Sequence, residues 1–194
     1  MAGFKYNLPP KEEKEERYDV STGLRRRGSY ILDVTGLPVG SYVPSFTPIA
    51  ADLVAKTAKI VVNALVREKV EIAGTKVKIA KGSYVQAGTV LGTGAKGATV
   101  QSIDMSNADY DELTLAAAFG VVINIGDVLF EASKADGENP KNVANSALFE
   151  THKVIEGINN VALLQRAFEI EPEKLVTPFS AKDKANLPHF QFNE

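Results

Sequence analysis

A glycine, a serine, a tyrosine and an aliphatic residue follow one another at Gly28-Ser29-Tyr30-Ile31, Gly40-Ser41-Tyr42-Val43 and Gly82-Ser83-Tyr84-Val85. The last two agree further, because Thr47-Pro48-Ile49 and Thr89-Val90-Leu91 follow their glycines at the same offset. A turn glycine, a short apolar run, another turn and another short run build small antiparallel sheets. The phrase predicts a β scaffold rather than a catalytic pocket.

From Gly28 to about Ala132 the pattern continues as short apolar runs between glycine or proline breaks. Strands are predicted at 29–34, 42–43 with Ile49, 58–66, 70–72, 75–79, 89–91, 98–103 and 128–130. Thr75-Lys76-Val77-Lys78-Ile79 alternates strictly, so one face is expected buried and the lysine face wet. Ala73-Gly74 suits a tight hairpin between its neighbours. Gly92-Thr93-Gly94-Ala95-Lys96-Gly97 is expected to be a flexible tip, and Gly126-Asp127-Val128-Leu129 echoes Gly88-Thr89-Val90-Leu91. One helix is expected at about 107–119, with Ser106 or Asn107 as cap, acids in the first turn and Gly120 as the stop. The fold class expected is mainly β with minor α, a small barrel or sandwich body with extended N- and C-terminal arms.

Three stretches follow from this: an N-terminal arm at 1–27, a β-rich body at 28–132, and a mixed, partly extended segment at 133–194. In the arm, Pro9-Pro10 favours extended backbone, and Lys11-Glu12-Glu13-Lys14-Glu15-Glu16-Arg17 has little apolar surface for a core. Residues 143–150 suit a turn or short helix, and 161–170 fits either strand or helix. Beyond Pro172 the prolines predict an irregular tail. Its isolated aromatics Phe179, Phe190 and Phe192 seek pockets on this body or on a neighbour.

The chain of 194 residues carries a net charge of −2 and no cysteine. That leaves no basic face for nucleic acid, no disulfide and no thiolate metal site. No apolar run approaches a membrane span, and the N-terminus lacks the apolar region of a secretory signal. His152 and His189 are far apart in the chain, with no ligand-like acids around either. Ser41, Ser83 and Ser102 lack a hydrolase elbow, and the glycine run at 92–97 has neither dinucleotide nor phosphate-loop spacing. Asp104, Asp109, Asp111 and Glu112 are dense but follow no calcium-loop pattern. No catalytic, cofactor or metal residue is therefore expected, nor an enzyme.

Leu37-Pro38-Val39-Gly40-Ser41-Tyr42-Val43-Pro44 with Thr47-Pro48-Ile49, Lys56-Thr57-Ala58-Lys59-Ile60-Val61, and Lys81-Gly82 through Leu91-Gly92 carry a resemblance. They resemble the auxiliary capsid, head-fibre and decoration proteins of tailed phages, best represented among phages of Bacteroidales, crAss-like phages included. The tail from Ala167-Phe168-Glu169-Ile170 through Leu175 and Pro178 fits the same group. The likeness covers roughly residues 28–194. It implies a virion structural protein on the capsid surface, docked on the major capsid protein, often as trimers, with head-fibre proteins as further partners. Phe4, Tyr6, Arg25, Arg26, Arg27, Phe190 and Phe192 are the expected contact residues on that reading. Deleting residues 1–27 would then abolish shell binding while leaving a folded body. Two other functions remain open to the sequence: a carbohydrate- or host-surface adhesion module of the virion, and an uncharacterised enzyme.

Overall fold

The computed structural model describes residues 16–193, and the body is mainly β. Strands β1 (Asp19–Arg25), β2 (Tyr30–Asp33), β3 (Tyr42–Val43), β4 (Pro48–Asp52) and β5 (Thr57–Ile60) come first. Then follow β6 (Asn63–Leu65), β7 (Lys76–Ala80), β8 (Val90–Gly92), β9 (Gly97–Asp104), β10 (Tyr110–Leu115) and β11 (Val128–Glu131). The chain closes with β12 (Ser146–Leu148), β13 (His152–Lys153), β14 (Asn160–Val161), β15 (Leu163–Ile170), helix α1 (Ala181–Ala185) and β16 (Phe190–Phe192).

Strands β6 to β11 come from one uninterrupted stretch and form one sheet, in the order β6-β11-β8-β9-β10-β7. Every neighbouring pair is antiparallel. Val66, just past β6, bridges Ile79 of β7, so the sheet curls until its ends meet. Inside sit Val66, Val77, Ile79, Leu91, Val100, Leu113, Leu115 and Leu129. The remaining long sheet runs β1-β15-β12-β4-β5-β2-β14, with β16 alongside β15. The barrel-like lobe is thus an insertion between β5 and β12 of a sheet built from both ends of the chain.

The repeated phrase seeds both lobes. Val43 and Val85 are buried after their glycine turns, and Ile49 and Leu91 are buried in the strands beyond. The echo at Gly126 is a repeated turn. Gly88 and Gly126 both have φ of +89°, each followed by an N–H that closes the turn, Thr89 to Gln86 O (3.0 Å) and Asp127 to Asn124 O (3.2 Å). Thr89 Oγ1 and Asp127 Oδ2 in turn accept from the Gln86 and Asn124 N–H groups. Only glycine adopts that conformation cheaply.

Several expectations need correction. The helix at 107–119 is instead the end of a hairpin followed by strand β10. Asn107 Oδ1 accepts from the Asp109 N–H (2.8 Å) and Asp104 Oδ1 from the Ser106 N–H (2.9 Å), so the residues that resemble caps make Asx turns. Tyr110-Asp111-Glu112-Leu113-Thr114-Leu115 has period 2, with Asp111, Leu113 and Leu115 inward, and β7 and β9 on either side. Cross-strand pairing outweighs a helical start signal. Ala73-Gly74 lies in a turn, yet Val70 bridges Ile123 rather than the following strand. Residues 143–150 hold strand β12, and the proline-broken tail packs as α1 and β16.

The tip at 93–96 is not free either: the Gly94 N–H donates to Gly137 O (3.0 Å). A Cβ on Gly97 would come within 2.5 Å of Ala135 O, and one on Gly137 (φ +71°) would overlap the Lys96 carbonyl. Residues 19–25, expected in an arm, are strand β1 on β15.

One buried carboxylate ties the pieces together. Asp183 in α1 accepts from the Ala144 N–H (2.7 Å) at Oδ1. Its Oδ2 accepts from Asn63 Nδ2 (2.8 Å) of the barrel-like lobe and from the Ser180 N–H (2.9 Å) and Oγ (2.6 Å). Asn63 Nδ2 also donates to Pro178 O (2.8 Å). Replacing Asp183 by alanine strands these buried donors, each costing about 1–3 kcal/mol. The expected loss of at least ~3 kcal/mol is measurable as a lowered urea midpoint. Gly137→Ala, which combines an unfavourable φ with a backbone overlap, is expected to cost roughly 2–4 kcal/mol in the same experiment.

Candidate functional site

Strand β15 buries Leu164, Ala167 and Ile170 and turns Arg166, Phe168 and Glu169 to solvent, the break in alternation falling at Glu169, whose φ is +52°. Leu24 of β1 lies opposite Arg166, and Asp19 opposite Phe168. The Arg166 guanidinium sits 5.6 Å from the Phe168 ring centre, and its Nε donates to Thr22 O (3.3 Å). Arg25 lies over Phe149 at 5.1 Å. Val20, Leu24, Phe168, Arg25 and Arg27 are exposed here, at the outer edge of the long sheet. Arginine beside aromatic and aliphatic surface is the composition of a protein-binding patch.

The residues expected at an interface separate into groups. Arg25 and Arg27 are on this edge. Arg26 is turned into the fold: its Nε donates to Ser146 Oγ (2.6 Å), its Nη2 to Asn145 O (2.9 Å) and its N–H to Leu163 O (2.7 Å). Phe190 is buried in a cluster with Phe46 (rings 5.9 Å apart), and Phe192 is half-buried against Phe179 (5.2 Å). Both fill pockets on this chain's own body. Phe4 and Tyr6 lie outside the described residues. Arg166, Leu24 and Phe168 were absent from the expected set. The signal for Phe168 was its placement one residue after buried Ala167 in a strand, a signal that helix–strand ambiguity at 161–170 hides.

Between the two lobes lies a polar cleft of about 510 Å3, lined by Asp33, Lys59, Tyr84, Gln86, Glu131 and Lys141 among others. Asp33 lies opposite Lys59 in the sheet, and hydrogen bonds from Thr35 hold its carboxyl below the usual range. Lys141 pairs with Glu131 at 2.8 Å, and burial pushes the Tyr84 hydroxyl up. Opposite charges answer one another along this groove, and among the described residues no nucleophile and base converge there. The acidic run disperses: Asp111 pairs with Lys81 (2.6 Å), Glu112 with Lys76 (2.5 Å), and Asp104 holds its turn. Among the described residues no group of His, Asp and Glu could hold a metal ion. His152 Nε2 contacts Asn159 Oδ1 (2.8 Å), and His189 is exposed.

Among the described residues no group of side chains forms a reactive centre, and the comparison of the whole sequence with known families points to a structural protein. The model of the phage family described as head fibre protein matches residues 2–193. The chain belongs to the phage head fibre protein family. It is a structural component of the virion, in a family of structural rather than enzymatic kind. The match extends ahead of residue 28, so β1 and the segment before it are part of the family's domain. No curated protein and no solved structure matches the chain.

The placements of two phenylalanines predict opposite mutational outcomes. Phe190→Ala, emptying a buried pocket, is expected to cost about 3–5 kcal/mol, whereas Phe168→Ala on the outer face is expected within about 0.5–1 kcal/mol of the parent. Denaturant titration of the two variants checks both.

Proposed function

We propose that this head fibre protein binds the outside of the phage capsid through the major capsid protein, reinforces or decorates the shell, and gives head fibres a base. Membership of the head fibre family over residues 2–193 is the observation that carries the reading. The β1 edge supports it: Arg166 lies beside Leu24 and Phe168, Arg25 is exposed in the same edge strand and Arg27 just past its end, which gives the edge a mixed cationic and apolar character. An interface of standard size buries about 800 Å2 on each side, and association costs absorb much of the gain. Copies assembled as trimers, each touching more than one capsid subunit, raise the effective concentration and hold the layer in place.

The informative variant is not removal of residues 1–27, because that deletes β1 and the Arg26 contacts that bind it to β12 and β15. Arg25→Glu, Arg27→Glu and Leu24→Asp together change exposed side chains only. Purified heads lacking the protein, incubated with each form and analysed by quantitative mass spectrometry, provide the test. The parent is expected at hundreds of copies per particle and the triple variant at least about tenfold lower at equal concentration, a loss of ~1.4 kcal/mol or more. A parent that does not remain with the heads, or a triple variant that loads fully, would refute the proposal.

A further inference from the structure

We infer that the cleft between the two lobes binds a neutral oligosaccharide. The inference goes beyond capsid binding and does not rest on it, since no residue of the β1 edge lines the cleft. A space of about 510 Å3 is the size of a small-ligand site. Its lining divides into an apolar part and a polar part.

Leu37, Ile60, Val62 and Tyr84 form the apolar part. The Tyr84 hydroxyl is hydrogen-bonded to Thr47, which is 1% exposed. The polar end of Tyr84 is thus engaged in the interior, and its ring is what remains for the cleft. A sugar ring carries C–H groups on its faces and hydroxyls around its edge. An aromatic ring with aliphatic neighbours covers such a face.

The polar part has hydrogen-bonding capacity to spare. Gln86 donates its backbone N–H to Thr89 Oγ1 (3.1 Å), while its side-chain amide lies against Gly36, where a Cβ would come within 2.9 Å of Nε2. Gly36 has φ of +82°, so the amide occupies room that glycine alone leaves there without strain. Among the described residues, the side-chain amides of Gln86 and Asn142 bond to no other protein group, nor does the Lys59 ammonium. Each amide offers an acceptor oxygen and a donor NH2, and each sugar hydroxyl donates once and accepts twice, so neighbouring hydroxyls satisfy these groups together.

Charge selects against the other ligand classes. Asp33 and Glu131 balance Lys59 and Lys141, and Lys141 Nζ already holds Glu131 Oε1 at 2.8 Å. An anion entering the cleft meets both carboxylates, and a cation meets both ammonium groups. An apolar ligand strips water from all four charges and returns no hydrogen bond. A neutral polyol replaces that water group for group. The walls are also set in advance: the Leu37 N–H closes its turn on Val34 O (2.9 Å), and the Thr89 N–H closes the facing one on Gln86 O (3.0 Å). A site shaped before its ligand arrives loses less entropy on binding.

The full chain, applied to an array of immobilised neutral, anionic and amino-bearing oligosaccharides, is expected to retain neutral members. The strongest of these, titrated in solution, should saturate with a Kd below about 1 mM. Gln86→Leu with Asn142→Leu keeps the size of both side chains and removes both amides, and should weaken that binding at least about tenfold. In the parent protein, the backbone amide resonances of Thr35, Gln86 and Asn142 should shift during the titration, a readout that stands whether or not the double variant folds. Four results would overturn the inference. They are retention of no neutral oligosaccharide, a preference for anionic ones, full affinity in the folded double variant, or shifts confined to residues outside the cleft.

Discussion

A single carboxylate, Asp183, occupies the junction on which the rest of the architecture depends. Burying a charge is costly unless donors surround it. Here the donors come from three separate pieces of chain: Asn63 of the inserted lobe, Ala144 of the return crossover, and Ser180 at the cap of α1. The short helix is too small to be stable alone. It exists because its capping box places Asp183 inside, where apolar neighbours such as Leu187 and Phe179 exclude water. The C-terminal segment therefore joins the barrel-like lobe to the long sheet, an arrangement expected to make the two unfold as one body.

That arrangement makes mechanical sense in a virion component. β1 meets β15 at one edge, and β15 also pairs with β12 and β16, so a pull on β1 is passed into the middle of the sheet. Arg17 and Tyr18 fasten the start of β1, the first by hydrogen bonds to Ser45, the second by packing on Phe46 at 4.9 Å between ring centres. Exposed arginines and apolar residues then sit on a stiff support instead of on loops. Stiffness limits the entropy lost when such a surface is bound.

Much of this fold was legible in the sequence because its main signals are local. The glycine phrases mark turns, Lys76-Val77-Lys78-Ile79 alternates, and β2, β4, β7, β8, β9 and β11 fall at or next to the predicted runs. What escaped was non-local. Asp104, Asn107 and Asp109 signal a helix start or an Asx turn equally well, and only β7 and β9 on either side decide for strand. Phe179 and Phe190 look like free aromatics among prolines until Phe46, more than a hundred residues earlier, is seen to receive them. The exposed edge proposed for binding was half legible: Arg25 and Arg27 stand out as a charge run, whereas Leu24 and Phe168 become exposed only through the register of β1 on β15. Arg26 shows the limit of composition, since it shares a run with surface residues and yet serves the interior.

Native-state hydrogen exchange tests the claim that both lobes form one body most directly. Amides in the centre of the inserted lobe, such as Leu113 and Val77, should open with the same free energy and denaturant dependence as Leu164 and Ala167 in the long sheet. A lobe whose amides open earlier, with a smaller denaturant slope of their own, would contradict the account.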